Sequence, residues 1–267
     1  MDGPDVLTSS GRAASPGALR VPEITVYFWI VKGLSTAMGE ATSDYLVRVL
    51  HPVPAVLLGF AGFVVAIVLQ FAMRRYRAST YWFAVAMVGV FGTMAADVLH
   101  VGLGVPYTVS TAFWAVVLVA VFAVWAKTEG TLSVHSIDTA RRECFYWAAV
   151  IATFALGTAA GDLTAVTLDL GYGSSILVFA AVIAVPAIGY WRSRWNPILA
   201  FWWAYVATRP IGATVADWVV KPTASRGLGV PEGPICLTLV TLIALIVAYL
   251  DITRRDVQTT DLPTTAT

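Results

Sequence analysis

Residues 81–104 read YWFAVAMVGVFGTMAADVLHVGLG. The stretch opens on an aromatic cluster, Tyr81-Trp82-Phe83, and continues through apolar and small residues for the length of a bilayer-crossing helix. Near its far end stands one acid, Asp97. Ten residues separate Trp82 from Gly92, and five separate Gly92 from Asp97. The same spacing recurs, without a shift of one residue, at Trp29–Gly39–Asp44, Trp147–Gly157–Asp162 and Trp202–Gly212–Asp217. A phrase written four times at fixed spacing marks a repeat architecture.

The chain has 267 residues, 58% of them hydrophobic and 12% charged, with a mean hydropathy of +0.76. A soluble domain carries about 25% charge, so there is too little here to coat a water-facing surface. The chain reads as an all-α polytopic membrane protein. Eight segments are long and apolar enough to span: 24–44, 53–73, 81–101, 108–126, 145–165, 174–191, 198–219 and 233–251. They pair into four tandem helical hairpins, with repeats at about 24–73, 81–126, 145–191 and 198–251 inside a transmembrane region 24–251. Residues 1–23 and 252–267 are polar tails, the first expected to be disordered and to lack the apolar core of a cleavable signal. Cys144 and Cys236 fall near opposite faces, which argues against a disulfide, and no metal-thiolate motif is present.

Basic residues set the orientation. Arg12, Arg20, Arg74, Arg75, Arg77, Lys127, Arg141, Arg142, Arg192, Arg194, Arg254 and Arg255 lie in the tails and inter-repeat loops. The turns inside repeats hold only Arg48, Lys221 and Arg226. By the positive-inside rule both termini are cytoplasmic, and all four hairpins run parallel. The odd-numbered spans carry every intramembrane charge, so they are expected to face inward and the even-numbered spans to face lipid. Trp29, Trp82, Trp147 and Trp202 are expected to anchor the repeats at the headgroup boundary. The repeated Gly suits close helix contact. Three turns hold Gly-x-Gly (Gly102/Gly104, Gly171/Gly173, Gly227/Gly229), read as tight turns because no phosphate-binding fingerprint surrounds them.

An Asp 15 residues past the boundary Trp lies about 22 Å along the helix, in the outer half of the membrane. A carboxylate at membrane depth costs about 2.5–3.5 kcal/mol on insertion scales. The cost is repeated four times, and these acids sit toward helix C-termini, where the macrodipole opposes them. Asp44, Asp97, Asp162 and Asp217 therefore form a candidate ion-binding ring. Glu40 shares a polar stripe with Lys32, Thr36 and Asp44, and His100 stands three residues past Asp97. Both are candidate extra ligands or proton carriers. Lys32 and Arg209 are candidate charge-balancing groups. Carboxylates with imidazole suit hard or borderline divalent ions, which makes Asp97, His100 and Asp162 the candidate metal ligands. No resident cofactor is implied beyond such a bound divalent cation.

The repeated two-span unit, with Tyr27-Phe28-Trp29-Ile30-Val31-Lys32, the stretch from Asp97 to Gly104 and Ala159-Ala160-Gly161-Asp162-Leu163-Thr164, resembles a bacterial family of uncharacterised membrane-anchored proteins. That family is built from four tandem transmembrane repeats of unknown function. The resemblance covers residues 22–251, implies the bacterial inner membrane, and carries no activity. The first repeat departs from the others in having His51-Pro52-Val53-Pro54 in place of Gly-x-Gly.

These readings converge on a secondary transporter or exporter of a small cation, a divalent metal first, coupled to protons. The competing expectation is a non-transporting scaffold or sensor whose Asp residues are hydrogen-bonding glue. No hydrolase motif is present, so no enzyme is expected, and the expected partners are lipid, a small cation and protons rather than nucleic acid.

Overall fold

The computed structural model describes residues 19–193 and 195–258, and the described chain is all-helical. The helices are α1 (Val26–Leu50), α2 (Pro52–Ala72), α3 (Ala78–Asp97), α4 (Tyr107–Glu129), α5 (Ala140–Asp162), α6 (Gly171–Ser193), α7 (Pro197–Val220) and α8 (Glu232–Thr253). Local sequence sets their ends. The Thr25, Thr139 and Asn196 side chains accept from the first free amides of α1, α5 and α7. Pro52 and Pro197 begin α2 and α7, where a missing N–H costs nothing, and Gly130 ends α4 in the left-handed conformation.

Among the described residues six helices are long and apolar enough to cross a membrane: α2, α4, α6 and α8, with α3 and α5 extended by their following turns. α1 and α7 stand outside this set. These two are long enough, at 25 and 24 residues, but carry Lys32, Glu40 and Asp44, and Arg209 and Asp217, along their lengths.

The odd-numbered helices form a closed inner ring in which α1 packs on α3, α3 on α5, α5 on α7, and α7 back on α1. The repeated glycines make those contacts. A methyl group at Gly39 would stand 2.7 Å from the carbonyl carbon of Gly89. One at Gly92 would stand 3.1 Å from Phe154 Cβ, one at Gly157 would meet the Arg209 stem, and one at Gly212 would collide with Thr36. Each repeat thus presses its Gly on the next odd helix, and the fourth closes on the first.

The even helices coat this ring with exposed apolar side chains such as Leu57, Val116, Leu177 and Leu245. Their partners correct the hairpin picture. α4 packs on α5, α6 on α7, and α8 on α1, each chiefly against the following repeat. α2 likewise favours α3, with a smaller contact to α1. Each two-helix unit is therefore spliced into its neighbour.

Of the expected tails, residues 1–18 and 259–267 lie outside the described residues. The parts next to the helices make defined contacts. The Glu23 amide donates to the Asp256 carbonyl (2.8 Å), the Tyr76 amide to Leu19 (3.0 Å), and Gln70 and Arg20 both reach the buried Glu143 (2.8 and 2.6 Å). The Tyr76 hydroxyl donates to the buried Asp256. Burial pushes the Asp256 carboxyl up, and this hydrogen bond only partly offsets it.

Candidate functional site

Residues four apart on a helix stack one turn above each other, about 6 Å along the axis. Because the inner ring repeats, equivalent positions from its four helices stack as tiers. The first tier below the aromatic layer is Lys32, Val85, Val150 and Tyr205; the next is Thr36, Gly89, Phe154 and Arg209. Then come Glu40, Thr93, Thr158 and Ala213, and last Asp44, Asp97, Asp162 and Asp217. Every member of the first three tiers is buried.

The aromatic layer corrects the anchor assignment of the repeated tryptophans. Trp82, Trp147 and Trp202 are buried, and Trp29 is half-buried. They pack with Phe28, Tyr81, Tyr146, Phe201 and Tyr205 into one aromatic cluster, in which the Tyr81 and Tyr146 hydroxyls share a hydrogen bond. Trp202 donates to the Leu132 carbonyl (2.9 Å). An amphipathic ring at a helix start suits a headgroup boundary or a core equally well, and here the outer helices cover it. The exposed tryptophans are Trp191, Trp203 and Trp218, on or near the ends of α6 and α7.

Lys32 enters the first tier where two other repeats place Val. Its ammonium is fully buried, sits 4.2 and 4.3 Å from the ring centres of Phe154 and Tyr205, and has no hydrogen-bond partner among the described residues. Two aromatic faces supply what electrostatic stabilisation it receives from side chains.

Arg209 ties the ring together. One guanidinium nitrogen donates to the Thr36 carbonyl (3.1 Å). The other lies 2.8 Å from Glu40 Oε2, 2.5 Å from the Thr93 hydroxyl and 2.7 Å from the Thr158 hydroxyl. The last three are the same position in repeats one, two and three. One side chain from repeat four therefore reaches all the others at one level, with Phe154 5.1 Å beneath it.

The Asp tier is split. Asp44 Oδ2 lies 2.5 Å from the Lys221 ammonium, and Asp217 Oδ1 lies 3.4 Å from it. Asp97 and Asp162 accept no hydrogen bond or ion pair from any described side chain. The carboxylates still form one electrostatic group: Asp162 has Asp217, Glu40 and Asp97 as charged neighbours, and Asp97 has Glu40 and Asp44. Tyr107 and Tyr172, at the starts of α4 and α6, also feel this charge. The centre holds five acids against three bases, Lys32, Arg209 and Lys221.

Lys221 joins the site from just past the fourth odd span, where hydropathy gives no sign of it. The signal was its spacing from Asp217, one helical turn. Asp44 is also not terminal, since α1 continues to Leu50. In repeats two and three the helix widens immediately after the Asp, into π-helical turns at Val98–Gly102 and Leu163–Thr167. Such turns concentrate at functional sites. They also undo the i+3 argument that put His100 beside Asp97. His100 instead stacks on Tyr107 and bonds the Val105 carbonyl through Nδ1 (2.6 Å). Among the described residues no group of three or more His, Cys, Asp or Glu is placed to hold a metal ion. The proposed ligand trio of Asp97, His100 and Asp162 therefore does not assemble as a metal cage.

A family model described as a Repeat of Unknown Function (DUF347) matches residues 27–76, 80–131, 145–195 and 200–256. The chain belongs to this repeat family. Each DUF347 match holds one inner and one outer helix, so the repeat of the family is also the repeat of the fold. No curated protein and no solved structure matches the chain. Across the four DUF347 repeats the Trp, Gly and Asp are constant, and the groups between them differ: Lys32 and Glu40 in the first, Thr93 in the second, Thr158 in the third, Arg209 in the fourth. The polar centre is thus asymmetric, although the scaffold around it is fourfold.

Proposed function

We propose that the protein is a proton-coupled transporter or exporter of a small cation, working through the acidic tier at the end of the inner ring. All eight helices would cross the bacterial inner membrane, with both termini in the cytoplasm, as the distribution of Arg and Lys requires. α1 and α7 would cross as inner-ring helices, their charges kept from lipid by the other six. The observation that carries the reading is the pair Asp97 and Asp162. They are two partly buried carboxylates that make no ion pair among the described residues, each at the start of a π turn. Such groups bind a cation or take up protons, and exchange of one for the other is the elementary step of coupled transport. The aromatic layer would close the cytoplasmic side while the acidic tier is open on the other. The missing three-ligand cage favours a weakly held monovalent or organic cation over a tightly chelated metal.

A second reading has its own support. Glu40, Asp44 and Asp217 are engaged by Arg209 and Lys221, which is the arrangement of a membrane scaffold bound by interhelical polar contacts. The two readings separate on binding. Thermal stability of the purified protein is measured against monovalent, divalent and organic cations and against pH, with Asp97→Asn alongside. Transport predicts an ion that stabilises the wild type and not the variant. Stability insensitive to every ion supports the scaffold.

A further inference from the structure

We infer that Lys221 is a tethered cation: its ammonium fills the half of the acidic tier between Asp44 and Asp217 in place of a soluble ion. The half formed by Asp97 and Asp162 is what remains for an incoming charge. The second statement rests on the transport reading above; the first rests on geometry alone. Lys221 follows the last residue of α7, and its side chain crosses from repeat four to repeat one to reach Asp44 at 2.5 Å.

The backbone around it is built to hold that direction. The Lys221 amide donates to the Asp217 carbonyl (2.8 Å), and its own carbonyl accepts from Gly229 (2.9 Å). Leu228 and Val230 donate back to Trp218 and Val219 (2.7 and 3.0 Å), so the loop folds over the end of α7. Gly227 lies so close to the Lys221 carbonyl that no side chain fits there. The equivalent positions in the other repeats are Arg48, Val101 and Val166. Arg48 turns away to Glu232 (3.0 Å), and the two valines carry no charge. Among the described residues only the fourth repeat brings a cation into the tier.

A side chain that stands in for a soluble cation is replaceable by one. Removing it leaves a gap of known chemistry, an alkylammonium between two carboxylates. Lys221→Ala should melt several degrees below the wild type in sodium buffer. Millimolar propylammonium chloride, which restores the missing carbons and nitrogen, should raise the variant in a saturable way and leave the wild type unmoved. Adding Asp44→Asn should abolish the rescue. Where Lys221→Ala does not fold in sodium buffer, it should be recovered folded when purified in propylammonium. The inference is overturned if propylammonium acts on the variant no better than sodium, or acts equally on the wild type. Rescue without stabilisation of the wild type by any ion would keep the tether and remove the transport reading.

Discussion

Arg209 and Glu40 lie 169 residues apart in the chain and 2.8 Å apart in space, both buried at the centre of the inner ring. Their contact joins the last repeat to the first, and the hydroxyls of Thr93 and Thr158 bring in the other two. Removing one partner of a buried pair strands the other, at a cost of about 3–5 kcal/mol. Arg209→Met and Glu40→Gln should each destabilise the protein on that scale in detergent unfolding. The double variant Arg209→Met/Glu40→Met should recover much of the loss. Additive losses would show that the two residues act separately.

The repeated glycines should be intolerant in proportion to their contacts. Gly39→Ala places a methyl group 2.7 Å from backbone that cannot yield, and overpacking of this kind costs about 1–3 kcal/mol. Gly33, on the same helix, has nothing within 4 Å of the same position. Gly33→Ala should therefore be neutral or slightly stabilising, and comparison of the two melting temperatures tests the close approach of α1 and α3.

The four Asp residues should not behave alike. Asp44→Asn and Asp217→Asn remove partners of Lys221 and should lower thermal stability. Asp97→Asn and Asp162→Asn remove unpaired charges from a crowded acidic tier and should leave stability unchanged or raise it. Four equal losses would mean that the split of the tier is wrong.

The Lys221 ammonium gives a pH test. Burial works against its charge, but Asp217 and Asp44 outweigh that and hold it above the usual lysine range. A raised pKa in the folded state contributes stability that is complete below the unfolded value, about 10.4, and is lost as pH rises through the folded value. The stability difference between wild type and Lys221→Gln should therefore be constant from neutral pH to about 10 and shrink above it. A difference that grows with alkaline pH would contradict the pairing.

Much of this centre was legible in the spacing of Trp, Gly and Asp. A constant interval puts equivalent residues at equal depth, and charges confined to the odd segments put those segments inside. Other features left no such mark. Aromatic residues at a helix start look the same whether they face headgroups or an axis, which is why Trp82, Trp147 and Trp202 read as anchors and proved to be core. Helices such as α4 and α8 are apolar all round, so nothing in them names the neighbour they pack on. The π turns after Asp97 and Asp162 have no sequence marker, and without them His100 seemed to share the Asp97 face. Lys221 fell outside the span because hydropathy ends a helix where its last charged turn begins.

On the proposed function, Asp97 and Asp162 are the exchangeable carboxylates of a cation pathway. The direct measurement is cation-driven proton movement in proteoliposomes, followed with an internal pH dye across a panel of monovalent, divalent and organic cations. The wild type should move protons in response to at least one cation gradient. Asp97→Asn and Asp162→Asn should each abolish that signal while remaining folded and inserted. Proton movement unchanged in both variants, or absent in the wild type for every cation, would contradict the claim and leave the acidic tier as a structural feature of the repeat.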